Sequence, residues 1–187
     1  MPAEDTLSVF RFWKSYFLKH GKPKSIYLDR HSIYKTARPV QGQGEDFDLT
    51  QFERAMAELD IEVIHAYSPQ AKGRVENVFG TLQERLVKEL RLEGINDISQ
   101  ANQYLETKFL PEFNQRFGLP AKLPANFHRS LGEETDLDKI LAIRKLRQIN
   151  NDFTLRFENR WFQLNEVQST LVLPGQKVVV ERRLDQS

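Results

Sequence analysis

The sequence predicts an α/β protein that is followed by a small β module. Two short apolar segments, 25–28 and 61–65, have the length of buried strands and alternate with segments of helical periodicity. Beyond Asn151 the spacing of apolar residues changes to two, which indicates hairpins. We therefore expect an α/β domain over residues 1–117, a linker and basic helix over 118–150, and a β module over 151–187.

Helices are predicted where apolar residues recur every three or four positions. Phe10, Trp13 and Phe17 predict a helix over residues 4–20 that ends at Gly21. A second helix covers residues 52–59, with Asp48 or Thr50 as its cap. A long helix has apolar residues at helical spacing from Val75 to Leu90 and ends at Gly94. A further helix covers residues 99–117, with a kink at Pro111. The last predicted helix covers residues 136–149 and carries four basic residues, Lys139, Arg144, Lys145 and Arg147.

Two hairpins are predicted for the β module. The first covers residues 153–164 and turns at residues 158–160, and the second pairs residues 170–173 with 177–184. Such a module is typical of a small barrel, and its arginines fit a barrel that binds DNA without reading sequence. The same alternation would build any barrel core.

Composition limits the classes of function. The chain has 187 residues, no cysteine, and 27 Lys and Arg against 26 Asp and Glu. The absence of cysteine excludes disulfides and thiol catalysis. Without an apolar run of about 18 residues or a signal peptide, we expect a cytoplasmic protein with no membrane partner. A net charge of +1 argues against a polybasic DNA binder, although a balanced total can conceal a basic face.

Two carboxylates follow the predicted strands. Asp29 lies where the first strand ends, and Glu76 lies near the start of the long helix that follows the second strand. If the strands are neighbours, both acids project from one edge of the sheet and can hold Mg²⁺ through oxygen ligands. Spacing alone does not separate this site from acids that cap helices.

The residue strings around these acids are more specific. YLDRHSIY at 27–34, SPQAKGRVE at 68–76 and GTLQERLVKELR at 80–91 resemble bacterial insertion-sequence transposases. The resemblance is to the type with a retroviral-integrase-like catalytic core (the DDE, RNase H-like superfamily), closest to ISNCY elements, and it covers nearly the whole chain.

The resemblance implies a partial RNase H-like domain followed by a β-barrel-like module. It implies that Asp29 and Glu76 are two of three catalytic acids that hold two divalent metals, Mg²⁺ or Mn²⁺, for DNA cleavage and strand transfer. Lys72 and Arg74, in the loop before the glutamate helix and at its start, would face the DNA backbone. A homo-oligomer acting on element ends and target DNA is expected for the complete protein.

The first acid of the set has no counterpart among residues 1–28. Glu4 and Asp5 are interpreted as helix-capping acids. We therefore expect a C-terminal fragment of a transposase that is inactive alone. The alternative is a noncatalytic DNA-binding or multimerising remnant that competes with the intact transposase.

Other candidate residues keep two interpretations. His31 is a phosphate contact or a structural residue, whereas His65 is interpreted as structural. The basic helix tracks a phosphate backbone or is a solvated face.

Overall fold

The computed structural model describes residues 5–28, 33–34, 49–65, 69–120, 125–168 and 170–185. The fold is mixed α/β, as the sequence predicts. It comprises two compact units, the first formed by residues 1–65 and 127–187 and the second by residues 66–126. The predicted domain boundaries at residues 117 and 150 stay predictions.

The first unit begins with the predicted amphipathic helix, α1 (Thr6–His20). The Asp5 carboxylate accepts a hydrogen bond from the Ser8 N–H at 2.6 Å, so this acid caps the helix as expected. The helix ends at Gly21, whose φ of 81° lies in the region that favours glycine.

Two strands and a helix follow in the predicted order. The strands β1 (Ser25–Leu28) and β2 (Glu62–His65) pair in parallel, with Leu28 opposite His65. Between them lies α2 (Gln51–Glu58), which begins with a reciprocal capping box between Thr50 and Glu53. Of the two predicted caps, Thr50 fills the role, and Asp48 lies outside the described residues.

The core of the first unit contains residues from both ends of the chain. Phe10 and Phe17 from α1 pack with Phe52 from α2, and all three are fully buried. Leu137 and Leu141, more than a hundred residues after α1, belong to the same cluster. Residues beyond 127 therefore contribute to one core with residues 1–65.

The predicted helix over residues 136–149 is wrong. The structure has a four-residue helix, α6 (Leu137–Ile140), and then β3 (Ile143–Gln148), which pairs antiparallel with β6 (Lys177–Arg182). The helix stops because Leu141 and Ala142 enter the core, and the valines of β6 supply a strand partner that local periodicity does not reveal.

The first predicted hairpin is confirmed, whereas the second is wrong. The strands β4 (Thr154–Phe157) and β5 (Arg160–Gln163) pair antiparallel. The segment 170–173 forms no strand, because β3 takes the place it was expected to occupy beside β6. In the described part of the chain the sheets are two-stranded, and none closes into the barrel-like module that was expected.

The second unit is helical. It consists of α3 (Pro69–Leu92), α4 (Ile98–Tyr104), a π-helical segment (Leu105–Phe109) and α5 (Leu110–Phe117). The Tyr104 hydroxyl donates to the Glu89 carboxylate at 3.0 Å, and α3 and α4 are thereby joined. The helix predicted over residues 99–117 is divided by the π-helical segment that ends two residues before Pro111, and the kink predicted at this proline stays a prediction. None of the helices in the described ranges is long and apolar enough to span a membrane.

Candidate functional site

The candidate site is the edge of the sheet at which both parallel strands end. Leu28 and His65 face each other as the last residues of β1 and β2. Asp29 follows Leu28 directly in the sequence. Asp29 and His31 themselves lie outside the described residues.

His65 lies at the end of the described edge as a largely buried side chain with a defined partner. Its Nε2 lies 3.1 Å from Glu53 Oε1, and its side chain is 9% exposed. The second oxygen of Glu53 accepts from the Thr50 N–H at 3.0 Å, so the α2 cap and His65 share one carboxylate. The structural interpretation of His65 agrees with this geometry. Its Nδ1 is buried and has no hydrogen-bond partner among the residues described.

Glu76 lies farther along its helix than a capping acid would. Since α3 begins at Pro69, Glu76 is its eighth residue, and it is exposed. The macrodipole acts mainly within the first turn, and Glu76 lies beyond that turn. Lys72 and Arg74 both lie within the helix rather than in a loop before it, which corrects the expectation for Lys72.

The predicted metal-binding set is not assembled from the described residues. Glu76 offers the carboxylate oxygen that Mg²⁺ favours, but Asp29 is outside the description. No cluster of three His, Asp or Glu side chains is found over the ranges that the structure covers. Asp29 and Glu76 therefore stay predictions as metal ligands.

The four basic residues predicted as one DNA-binding helix face are divided among different surroundings. Arg144 forms an ion pair with Glu58 and another, at 2.8 Å, with Glu181, so it joins α2 to β3 and β6. It also donates to the Lys139 carbonyl at 2.9 Å. Arg144 is thus occupied with protein carboxylates, and the basic-helix interpretation is wrong because no helix carries these residues together.

Lys145 and Arg147 lie instead beside an aromatic ring of the hairpin. The Lys145 ammonium is 5.8 Å, and the Arg147 guanidinium carbon 6.0 Å, from the centroid of Phe157. Arg147 also donates to the Arg156 carbonyl at 3.0 Å. Sequence periodicity misses this cluster, because it depends on how β3 packs against β4 and not on spacing along one element.

Comparison with known proteins identifies relatives over nearly the whole chain. The protein y4bF of Sinorhizobium fredii, which is named as a transposase, is 36% identical over 177 residues, covering 94% of this chain and 38% of that protein. The transposase of insertion sequence IS1202 from Streptococcus pneumoniae is 31% identical over 160 residues, covering 85% of this chain and 34% of that protein. No protein-family model matches.

The chain thus spans about a third of the length of these curated relatives. The resemblance predicted from the motif strings is confirmed at the level of transposases, because both relatives carry that name. Over 85–94% of its residues, this chain is homologous to a segment of bacterial transposases.

Proposed function

We propose that this chain is part of a DDE-type DNA transposase with an RNase H-like core. The observation that carries the proposal is the parallel pairing of β1 and β2, which end at one edge immediately before Asp29 and before the segment that leads into α3. An edge of this kind is where α/β sheets build their sites. The homology to two transposases supports the same assignment.

In this proposal Asp29 and Glu76 are catalytic acids that hold Mg²⁺ or Mn²⁺. Two such metals supply activation of the attacking oxygen and stabilisation of the leaving oxygen in an in-line phosphoryl transfer. Lys72 and Arg74 contact phosphates of the DNA backbone. The motif strings are the basis for assigning both acids to the same metals.

The first acid of the set, which has no counterpart among residues 1–28, is proposed to lie in the part of the relatives that this chain does not span. The chain covers 38% and 34% of them, which leaves ample sequence for a further strand with an aspartate. The 187-residue chain alone is accordingly proposed to lack cleavage and strand-transfer activity.

A second candidate is a noncatalytic DNA-binding or multimerising segment. It is favoured by Lys145, Arg147, Arg156 and Arg160, since no ion pair in the described ranges involves any of them. Such cations are available for phosphate groups without any metal site. In this alternative the chain would compete with an intact transposase for DNA or for subunits.

The experiment is a strand-transfer assay of complete y4bF with Mg²⁺ and its element-end DNA. The residues aligned with Asp29 and Glu76, which this proposal expects to be acids, are replaced by Asn and Gln, one at a time. The matched control is the residue aligned with Glu84, an exposed acid of the same helix whose carboxylate pairs with Lys88 at 2.8 Å.

The first two variants are expected to lose activity by at least about a hundredfold while still binding DNA, because only metal binding is removed. The control is expected to retain it. Unchanged strand transfer in either acid variant would refute the assignment. Cleavage of element ends by the 187-residue chain alone would refute its proposed inactivity.

A further inference from the structure

The β4–β5 hairpin presents an aromatic side chain to solvent. Its turn residues, Glu158 and Asn159, have φ of 48° and 63°, the backbone of a tight hairpin turn. All four residues of β5 are exposed, and Trp161 is 64% exposed. A strand of this kind covers no core, so its large side chains need another explanation than burial.

The two faces of the hairpin differ in chemistry. Leu155 and Phe157 point into the core of the module and are buried. Arg156 alternates with them and lies opposite Trp161, so the arginine and the indole share the outer face. The Arg156 guanidinium carbon is 5.9 Å from the Trp161 ring centroid. The indole is therefore held beside a cation while most of its surface remains open.

The charge around this hairpin is positive. Arg156 lies on the outer face with Trp161, whereas Arg160 lies opposite Phe157, and Lys145 and Arg147 lie beside the Phe157 ring on the other face. Glu158 is neutralised by Arg182 at 2.7 Å, whereas the Asp152 carboxylate accepts from the Thr154 hydroxyl at 2.7 Å and keeps its charge. A negatively charged ligand at the outer face would meet the Arg156 guanidinium, which bonds the neutral Asn159 amide and forms no ion pair within the described residues.

A strained aromatic residue lies at the open end of the same hairpin. Phe153 has φ of 57° and is 38% exposed. This conformation is unfavourable for a bulky side chain, and such strain concentrates at functional sites. It adds a second exposed ring to the hairpin.

We propose that Trp161 is a base-stacking residue for unpaired DNA, with Arg156 on an adjoining phosphate. An indole and a nucleobase present matching flat faces, whereas a duplex hides the base faces within its stack. Neighbouring cations bind the backbone without reading sequence. The inference rests on the proposed function in one respect, namely that the polymer is DNA.

The test is DNA binding by the complete 187-residue chain. The probes are an oligo-dT of about 12 nucleotides, the oligo-dA·dT duplex of equal length and the matching oligo-rU. The variants are Trp161→Leu, which keeps an apolar surface without the ring, and Trp161→Phe, which keeps an aromatic face. The matched control is Phe127→Leu, an exposed aromatic of the same unit, 59% exposed and outside the hairpin.

Trp161→Leu is expected to weaken oligo-dT binding by about 5- to 150-fold, and Trp161→Phe by less than about threefold. Duplex binding and the Phe127→Leu control are expected to be unchanged. Oligo-dT is also expected to quench wild-type tryptophan fluorescence, and this quenching should be absent from Trp161→Phe. Arg156→Gln should reduce the slope of log affinity against log salt by about 0.7.

Four outcomes would overturn the inference, and three of them concern the relative binding of the probes and variants. They are unchanged oligo-dT binding by Trp161→Leu without quenching in the wild type, an equal loss of duplex binding, and tighter binding of oligo-rU than of oligo-dT. The absence of any DNA binding by the chain would overturn it as well. Each outcome leaves the proposed catalysis to be decided by the acid variants of the complete relative.

Discussion

Arg54 joins α2 to the turn between α6 and β3. Its replacement tests how residues 127–187 are held to residues 1–65 within the first unit. Its Nη2 donates to the Ile140 carbonyl at 3.1 Å and to the Ala142 carbonyl at 2.5 Å. Its Nη1 pairs with Glu58 at 2.7 Å. Arg54→Met keeps most of the aliphatic volume and removes all three donors.

The expected loss of unfolding free energy is about 2–4 kcal/mol. Each carbonyl left without a partner in a buried site costs about 1–3 kcal/mol. Part of this cost is offset, since burial lowers the pKa of the Arg54 guanidinium, which shows that the charge is itself held at a desolvation penalty. Arg54→Lys should fall between wild type and Arg54→Met, because an ammonium cannot reproduce the planar fork.

The measurement is urea denaturation followed by circular dichroism in the near ultraviolet, where the core aromatics report tertiary packing. The control is Arg11→Met, an exposed position on α1, which should change stability by less than about 0.5 kcal/mol. A loss below about 1 kcal/mol in Arg54→Met would refute the reasoning, because the carbonyls would then have found other partners.

Two further predictions concern the region of the antiparallel β-bridge between the backbones of Lys22 and Arg129. Gly21→Ala should destabilise the first unit by about 1–3 kcal/mol in the same denaturation assay, since an alanine Cβ would lie 2.5 Å from the Arg129 carbonyl oxygen at a φ of 81°; wild-type stability in this variant would contradict the close approach. The Arg129 guanidinium bonds Asp60 and holds the pKa of that carboxyl below its ordinary value. Because the folded-state pKa is depressed, the contribution is present above the unfolded pKa of about 3.9 and is lost as pH falls through the folded one. Asp60→Asn should therefore be less stable than wild type at pH 7 and equal to it near the acid limit, and a difference independent of pH would exclude this linkage.

Local sequence signals predict the elements whose ends and faces are set by near neighbours. Residues 5–21 alone contain the apolar stripe of α1, its Asp5 cap and its end at Gly21. The capping box of α2 likewise needs only Thr50 and Glu53. Whether β1 and β2 are neighbours is left open by the sequence; the structure pairs them in parallel, which a helix between two short apolar strands favours.

The segment 136–149 shows where such reasoning fails. Its apolar residues fit a helical period, but Leu141 packs in the core that contains Phe10 and Phe52, and Ala142 is fully buried. The following residues then pair with β6, about thirty residues later, and a single-element pattern contains no record of this partner. The predicted basic face disappears with the helix.

The candidate site is likewise predicted from the sequence only in part. Motif strings identify Asp29, Glu76 and the transposase relationship, because these depend on residue identity and order, and the relatives confirm the relationship. Only the tertiary structure shows that Arg144 is occupied by Glu58 and Glu181, and that Arg156 lies across the hairpin from Trp161.

What the sequence by itself determined are the local elements, the transposase relationship and the two candidate acids, since each is written in contiguous residues. What only the tertiary structure decided is which cations are neutralised and which remain available to a ligand. The physical reason is that ion pairs and cross-strand contacts depend on distances between residues far apart in the chain, and the folded core sets those distances.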